Sequence, residues 1–209
     1  AVLRVHAVDA LVVAADGADS WTRQAAGIQV AFKHYGQHGV VANFACTQAH
    51  RNTAFQWFRK DGILAYLPLP GNQISIVWST PEANAKSLLA MTPDAFCTAV
   101  ATAGEQRLGA LELLTPPAAF NLRLMRAPIS VAPRLALIGD AAHAIHPLSG
   151  HGINLGFRDA AVLADVLNAK PEHVDCGELA LLRRYERARK EEVIALQTVT
   201  NGLHNLFTP

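Results

Sequence analysis

The sequence predicts an α/β chain, α+β in the extent present here, with strand–turn–helix units at its two ends and a largely antiparallel sheet between them. Three observations predict this. Residues 134–167 begin as a short apolar run, Leu135-Ala136-Leu137-Ile138. The run stops at Gly139-Asp140 and passes through Pro147, Gly150 and Gly152. It then resumes at helical spacing with Ile153, Phe157, Ala160, Ala164 and Leu167. Residues 10–23 repeat that order: an apolar run, the turn pair Asp16-Gly17, then Ser20 three residues before Arg23. Between them, residues 28–127 hold short runs rich in β-branched and aromatic residues, punctuated by glycine.

Composition narrows the class. Of 209 residues, 51% are hydrophobic and 17% charged, which suits a large packed core and excludes a disordered chain. Eighteen basic against seventeen acidic residues give a net charge of +1, so nucleic acid is not an expected partner. No apolar run has the length of a membrane span. The opening AVLRVHAVDA lacks the basic–apolar–small order of a secretory leader. Cys46, Cys97 and Cys176 are far apart and odd in number, and read as free thiols of a reducing compartment. A cytoplasmic protein is expected.

In chain order, residues 3–6 and 10–15 read as two strands joined at Val8-Asp9. Ser20 caps a short helix through Arg23. Strands are expected over 28–35, 40–46, 53–58, 63–67, 73–79 and 120–125, with Gly36, Gly39, Gly62 and Gly71 as breaks. Thr80-Pro81-Glu82 and Thr92-Pro93-Asp94 each put proline at a first helical position. The aromatics Phe44, Phe55, Trp57, Phe58, Tyr66 and Trp78 are expected in the sheet core, with Tyr66-Leu67-Pro68 as a strand end of separate interest. After Pro171 a long helix is expected over 177–202. Arg183, Arg184, Arg187, Arg189 and Lys190 would form its solvated face, and contact with anionic lipid is the functional alternative.

The chemistry concentrates between Gly139 and Asn154. A carboxylate just past a buried strand, Asp140, can accept from sugar hydroxyls. A glycine loop opening a helix offers bare N–H groups and the positive end of the helix dipole. A rival reading takes Asp140, His143 and His146, with His151 close by, as ligands of a metal-dependent hydrolase. It leaves Pro147, Gly150, Gly152 and Asn154 without a role, and no metal is expected. A non-catalytic module binding a hydrophobic ligand through the aromatics is a third reading. Ser20 and Ser149 lack the elbow of a serine hydrolase.

The pattern G-D-A-A-H, P-x-x-G-x-G, N-x-G-x-x-D-A is met by Gly139, Asp140, Ala141, Ala142, His143, Pro147, Gly150, Gly152, Asn154, Gly156, Asp159 and Ala160. It resembles the second flavin motif of the aromatic-ring flavoprotein monooxygenases, the para-hydroxybenzoate hydroxylase class. His146-Pro147-Leu148 and the run 154–159 are closest to the ubiquinone-biosynthesis hydroxylases. His151 departs from that family's glutamine. Asp16, Gly17, Ser20 and Arg23 resemble its D-G-x-x-S-x-x-R motif, with Ala14 where glycine is usual.

The resemblance implies a partial FAD-binding, Rossmann-like domain formed by residues 1–27 and 128–209. A substrate-binding β-sheet domain, 28–127, is inserted in it. It implies FAD as cofactor, NAD(P)H as an electron donor, and ring hydroxylation of a polyprenyl phenol in ubiquinone biosynthesis through a flavin hydroperoxide. The implied cofactor residues are Asp16, Gly17, Arg23, Gly139, Asp140, Pro147, Gly150, Gly152, Ile153 and Asn154, and the implied pocket lining is Tyr66 and Pro68. No side chain is assigned as catalytic. Further implied are partners in a ubiquinone-biosynthesis complex, peripheral contact with the inner membrane and a homo-oligomer. The family's G-x-G-x-x-G unit does not occur here. The chain therefore reads as a C-terminal piece of a longer enzyme, expected by itself to hold no FAD and to be inactive.

Overall fold

The structure is a computed structural model, and it describes residues 10–144 and 152–207. The expected strand at 3–6 and its turn at Val8-Asp9 lie outside the described residues. The chain divides into two compact units, one of residues up to Lys33 with Arg123–Leu206, the other of His34–Leu122.

The first unit holds a small sheet of β1 (Val12–Ala14), β8 (Val131–Ala132) and β9 (Leu135–Leu137). Its order is β1-β9-β8, with β1 parallel to β9 and β8 antiparallel to it. Helix α1 (Trp21–Ala25) follows β1, and Ser20 Oγ accepts the Arg23 N–H as its cap. After β9 come a 3-10 turn, Gly139–Ala141, and the two-residue β10 (His143–Ala144). Helix α4 (Gly152–Asn168) buries Leu155, Asp159 and Leu163, four residues apart. Helix α5 (Leu179–Phe207) starts two residues later than expected and continues past Gly202. It packs Leu182 and Tyr185 against Val131, Ala136 and Leu163.

The second unit is an antiparallel sheet of β2 (Phe32–Cys46), β3 (Phe55–Arg59), β4 (Gly62–Leu69), β5 (Gln73–Pro81) and β7 (Ala118–Arg126), in the order β7-β2-β5-β4-β3. The short β6 (Leu111–Leu113), which the sequence reading missed, pairs with β2. Strand β7 continues into the first unit, where its end pairs with β10. Val40, Ala42, Phe44, Leu64, Tyr66, Ile74, Ile76 and Trp78 alternate along three strands and point to one face. Helices α2 (Glu82–Leu89) and α3 (Pro93–Ala103) cover that face with Leu88, Phe96 and Val100. Pro93 stands at the first turn of α3 as expected, whereas Pro81 is the cap residue of α2.

Two glycines expected as breaks lie inside a strand. Residues 28–35 and 40–46 are not two strands: β2 runs unbroken through Gly36 and Gly39. Gly36 takes φ +67 and Gly39 makes room for Phe120, whose ring would lie 2.8 Å from an added Cβ. Phe58 also departs from expectation, being exposed where its strand neighbours are covered.

Gly62 has the strictest requirement. Its φ is +131, and a Cβ there would lie 1.8 Å from the carbonyl oxygen of Ser79 on the neighbouring strand. Backbone cannot yield as a side chain can. Gly62→Ala should therefore destabilise the protein by about 3 kcal/mol, from a disallowed conformation together with displaced pairing. Urea unfolding of the variant measures this, and an unchanged midpoint would show that the β3–β4 turn adjusts freely.

Candidate functional site

Strands β1 and β9 lie side by side and parallel, with Val12 opposite Leu135 and Ala14 opposite Leu137. The Ile138 N–H donates to Ala14 O at 2.9 Å, extending the ladder to the strand ends. The chain thus leaves both strands at the same sheet edge, through Asp16-Gly17 after β1 and Gly139-Asp140 after β9. Carboxyl ends of adjacent parallel strands are where α/β sheets place ligands. Gly17 and Gly139 turn the chain with φ of +83 and +57, values that glycine adopts without strain.

The two turns are tied by Arg23. Its side chain is 1% exposed, with one nitrogen donating to Ala141 O and the other to Ala18 O, each at 2.8 Å. Arg23 is among the cofactor residues that the resemblance implies. Burial and these two carbonyls commit the guanidinium to holding the turns together. Asp16 is likewise engaged, accepting from Ser20 Oγ at 2.5 Å and from the Thr22 N–H at 3.0 Å. Burial pushes the Asp16 carboxyl up, but these hydrogen bonds outweigh it and hold the group below its ordinary value. Asp16 serves the start of α1 rather than offering two open acceptors.

A second cluster fixes the Gly139 turn from the other side. Gly139 and Gly156 approach so closely that a Cβ on Gly156 would lie 3.2 Å from the Gly139 Cα. One turn along α4, the fully buried Asp159 carboxylate accepts the Gly139 N–H at 2.8 Å and the His143 Nε2–H at 2.7 Å. Its other oxygen accepts from Arg189 Nε at 2.7 Å. Arg189 also pairs with Glu192, which in turn meets Arg158. Burial alone would raise the Asp159 carboxyl. The donors from His143, Arg189 and Gly139 outweigh it, so the group stays ionised to below the ordinary carboxylate range. Tyr185 adds a hydrogen bond from its hydroxyl to Leu137 O at 2.8 Å, and burial pushes its phenol up, keeping it a donor.

What these clusters leave open is Asp140. It is exposed on the 3-10 turn, and its carboxylate has no partner among the described residues. Gly152 opens the 17-residue α4, and no atom of the described residues lies within 4 Å of where its Cβ would be. Ile153 is 69% exposed and Asn154 is exposed. The first N–H groups of any helix lack an intrahelical acceptor and carry the positive end of its dipole. Pro147 and Gly150, with His146, Ser149 and His151, lie outside the described residues.

Tyr66, expected as pocket lining, belongs to the sheet core. It is 1% exposed, inside the second unit's core, and its hydroxyl donates to Val100 O of α3 at 2.7 Å. Strand alternation points Tyr66 inward with Leu64, into the core that α3 covers. Pro68 is half-buried on the same strand, opposite Ile74. Of the histidines in the metal reading, His143 bonds through Nε2 to Asp159, and His146 and His151 lie outside the described residues. Among the described residues no group of three histidine, cysteine or acidic side chains could hold a metal.

Two residues of this region were not singled out from sequence. Asp159 was matched only as part of a pattern, and Arg189 was placed on a solvated helix face. The signal for Arg189 was present: Leu181, Tyr185, Arg189, Val193 and Gln197 are all buried at a spacing of four along α5.

Breaking this buried pair should be costly. Asp159→Asn keeps the shape but leaves Arg189 without its counter-charge, and should lower stability by about 3–5 kcal/mol. The pH dependence has a definite sign. The folded Asp159 binds its proton less readily than the ordinary carboxyl, whose value is 3.8. Its contribution is therefore full above that pH and is lost as pH falls below it. Urea unfolding at several pH values tests both: the difference between parent and variant should shrink on acidification. A difference constant from neutral to strongly acidic pH would remove Asp159 from this role.

Comparison with known proteins matches this arrangement to a family. The chain is 38% identical over 199 residues to ubiquinone hydroxylase UbiL of Rhodospirillum rubrum, covering 95% of this chain and 46% of that protein. It is 39% identical over 191 residues to 3-demethoxyubiquinol 3-hydroxylase of Escherichia coli, covering 90% of this chain and 48% of that one. The chain thus spans about half the length of the curated relatives it matches. The crystal structure of PqsL from Pseudomonas aeruginosa superposes with a TM-score of 0.74 at 23% identity, covering 94% of this chain and 56% of that chain, and shares the fold. The model of the FAD binding domain matches residues 4–200, and the chain belongs to that family.

Proposed function

We propose that this chain forms the flavin-ring and substrate portion of an FAD-dependent monooxygenase that hydroxylates the aromatic ring of a polyprenyl phenol in ubiquinone biosynthesis. The observation that carries the proposal is the junction of β1, β9 and α4. Asp140, whose carboxylate has no partner among the described residues, follows a buried strand, and α4 starts at Gly152 in the same unit. This donor and acceptor set fits a flavin: hydroxyls of the ribityl chain for the carboxylate, and for the helix the end of the ring where negative charge gathers on reduction. The two relatives named for ubiquinone chemistry support the substrate class.

Bound FAD supplies the redox chemistry, with NAD(P)H as the electron donor, and the chain supplies position and dryness. Asp140 accepts from flavin hydroxyls. The N–H groups of Gly152, Ile153 and Asn154 face the electron-rich ring edge. Gly17 and Gly139 bring backbone to the cofactor without a Cβ in the way. Arg23 and Asp159 act one step back, holding the two turns that present these groups. Residues 28–127 form the substrate domain and residues 1–27 with 128–209 the cofactor domain. Partners in a biosynthetic complex, a homo-oligomeric state and peripheral membrane contact belong to the same proposal. Among the described residues no helix is long and apolar enough to cross a membrane.

The test uses a protein of the relatives' full length that carries this chain. It should retain FAD and, with NAD(P)H and oxygen, hydroxylate a short-chain polyprenyl phenol. Asp140→Ala should weaken FAD binding by about 1.5–3 kcal/mol, the worth of a hydrogen bond to a charged group, or roughly ten- to a hundredfold in flavin-fluorescence titrations. Unchanged FAD affinity would remove Asp140 from the site, and failure to retain any FAD would overturn the whole reading.

A further inference from the structure

The second unit carries a cavity that the hydroxylase proposal does not use. Residues 47–54 join β2 to β3, 70–72 join β4 to β5, and 104–110 join α3 to β6. Two of these loops border an open cavity of about 490 Å³, lined among others by Gln48, His50, Arg51, Thr53, Phe55 and Arg107. Its walls are held by backbone bonds: Thr47 N–H to Ala110 O at 3.1 Å and Gln48 N–H to Leu108 O at 3.0 Å. Thr47 Oγ1 accepts the Ala110 N–H at 2.9 Å. His50 braces the third loop. Its Nδ1 accepts the Asn52 N–H at 3.0 Å, so its Nε2 carries the proton that meets Gly71 O at 2.7 Å.

Both loops hold residues in a conformation that side chains disfavour. Arg51 and Asn52 have φ of +50 and +56, under a hydrogen bond from Thr53 N to His50 O. Glu105 and Gln106 have φ of +55 and +56, under one from Arg107 N to Gly104 O. These are two tight turns of the kind usually made with glycine, and here none of the four central residues is glycine. Backbone strain of this sort gathers at ligand clamps. The turns place one arginine on each loop at the same cavity.

The charge is one-sided. Two guanidiniums line the cavity and no carboxylate does. Neither Arg51 nor Arg107 makes an ion pair among the described residues. Arg107 sits over the Phe55 ring, 5.2 Å from its centroid, which steadies the guanidinium while leaving its in-plane donors for a ligand. A planar fork of N–H donors matches the oxygens of phosphate. The volume exceeds that of a bare ion and suits a phosphate carrying an organic group.

We propose that this cavity is a phosphate-binding site, in which Arg51 and Arg107 grip the phosphate of a soluble ester or of a lipid headgroup from opposite loops. None of its residues is among the proposed flavin contacts, so it stands or falls independently of them.

Calorimetric titration of the whole chain with inorganic phosphate, at fixed ionic strength, tests it. Binding should saturate, weaken about tenfold in Arg51→Gln or Arg107→Gln and about a hundredfold in the double variant. Lys60→Gln, an equal loss of charge at an exposed turn of the same unit, should leave it unchanged. Amide shifts on phosphate addition should map to residues 47–54 and 104–110. A second arm uses vesicles of phosphatidylglycerol in phosphatidylcholine. Retention that free phosphate competes away and the double variant loses identifies a lipid headgroup, whereas phosphate binding without retention identifies a soluble ester. Absence of saturable phosphate binding, equal affinity in the double and Lys60 variants, or shifts confined to other loops would overturn the proposal.

Discussion

The buried carboxylate of Asp159 is the constraint on which the first unit depends. Taking such a group out of water costs several kcal/mol, and only strong donors offset that. It has three: the Gly139 N–H, His143 and Arg189, reached from the 3-10 turn, β10 and α5. Each donor fixes one element relative to α4. The Gly139 bond needs a close approach of turn and helix, and Gly156 permits it because a side chain there would press on the Gly139 Cα. Glycine at 139 and 156, aspartate at 159, histidine at 143 and arginine at 189 are thus one solution to one problem. Well-packed apolar residues in place of both Asp159 and Arg189 could match the stability of the ion pair, whereas an apolar residue at 159 alone would strand the buried guanidinium. An apolar residue at 159 could not accept the Gly139 N–H either, which would then lose its acceptor on α4.

That network explains which parts of the fold were legible. The strand–turn–helix order around Gly139 is local: apolar runs, glycines and helical periodicity lie within some thirty residues, and they read correctly. The antiparallel sheet also announced itself through β-branched and aromatic runs. Its strand ends were harder. Glycine at 36 and 39 looks like punctuation, but a sheet can use glycine for a left-handed step or for the ring of Phe120. One letter serves both purposes, and only the neighbouring strand decides between them.

Side chains that bond far along the sequence were the least legible. Arg189 lies among four other basic residues of α5, and the cluster as a whole suits a solvated face. Its own position falls in the buried stripe, so period and charge disagreed, and the period was the better guide. Tyr66 stands where strand alternation points inward and where a helix carbonyl awaits its hydroxyl. Arg23 shows the same limit: a conspicuous arginine beside a glycine turn suggests an anion, whereas its acceptors are two carbonyls, one of them 118 residues away.

Arg23 also explains why two motif blocks far apart in sequence serve one edge. Parallel pairing of β1 with β9 brings the turns together, but a three-residue ladder fixes strands better than it fixes the loops beyond them. A guanidinium spanning Ala18 O and Ala141 O supplies that missing bond and satisfies two backbone acceptors at once. A lysine could reach one carbonyl but not hold two in the fixed geometry of a planar fork. The acidic groups around it are arranged accordingly. Asp16 is drawn to the α1 cap, Asp19 pairs with Arg123, and of the three carboxylates at these turns Asp140 is the one without a partner among the described residues. The turns are thereby tied to each other through backbone acceptors, while the Asp140 side chain stays exposed.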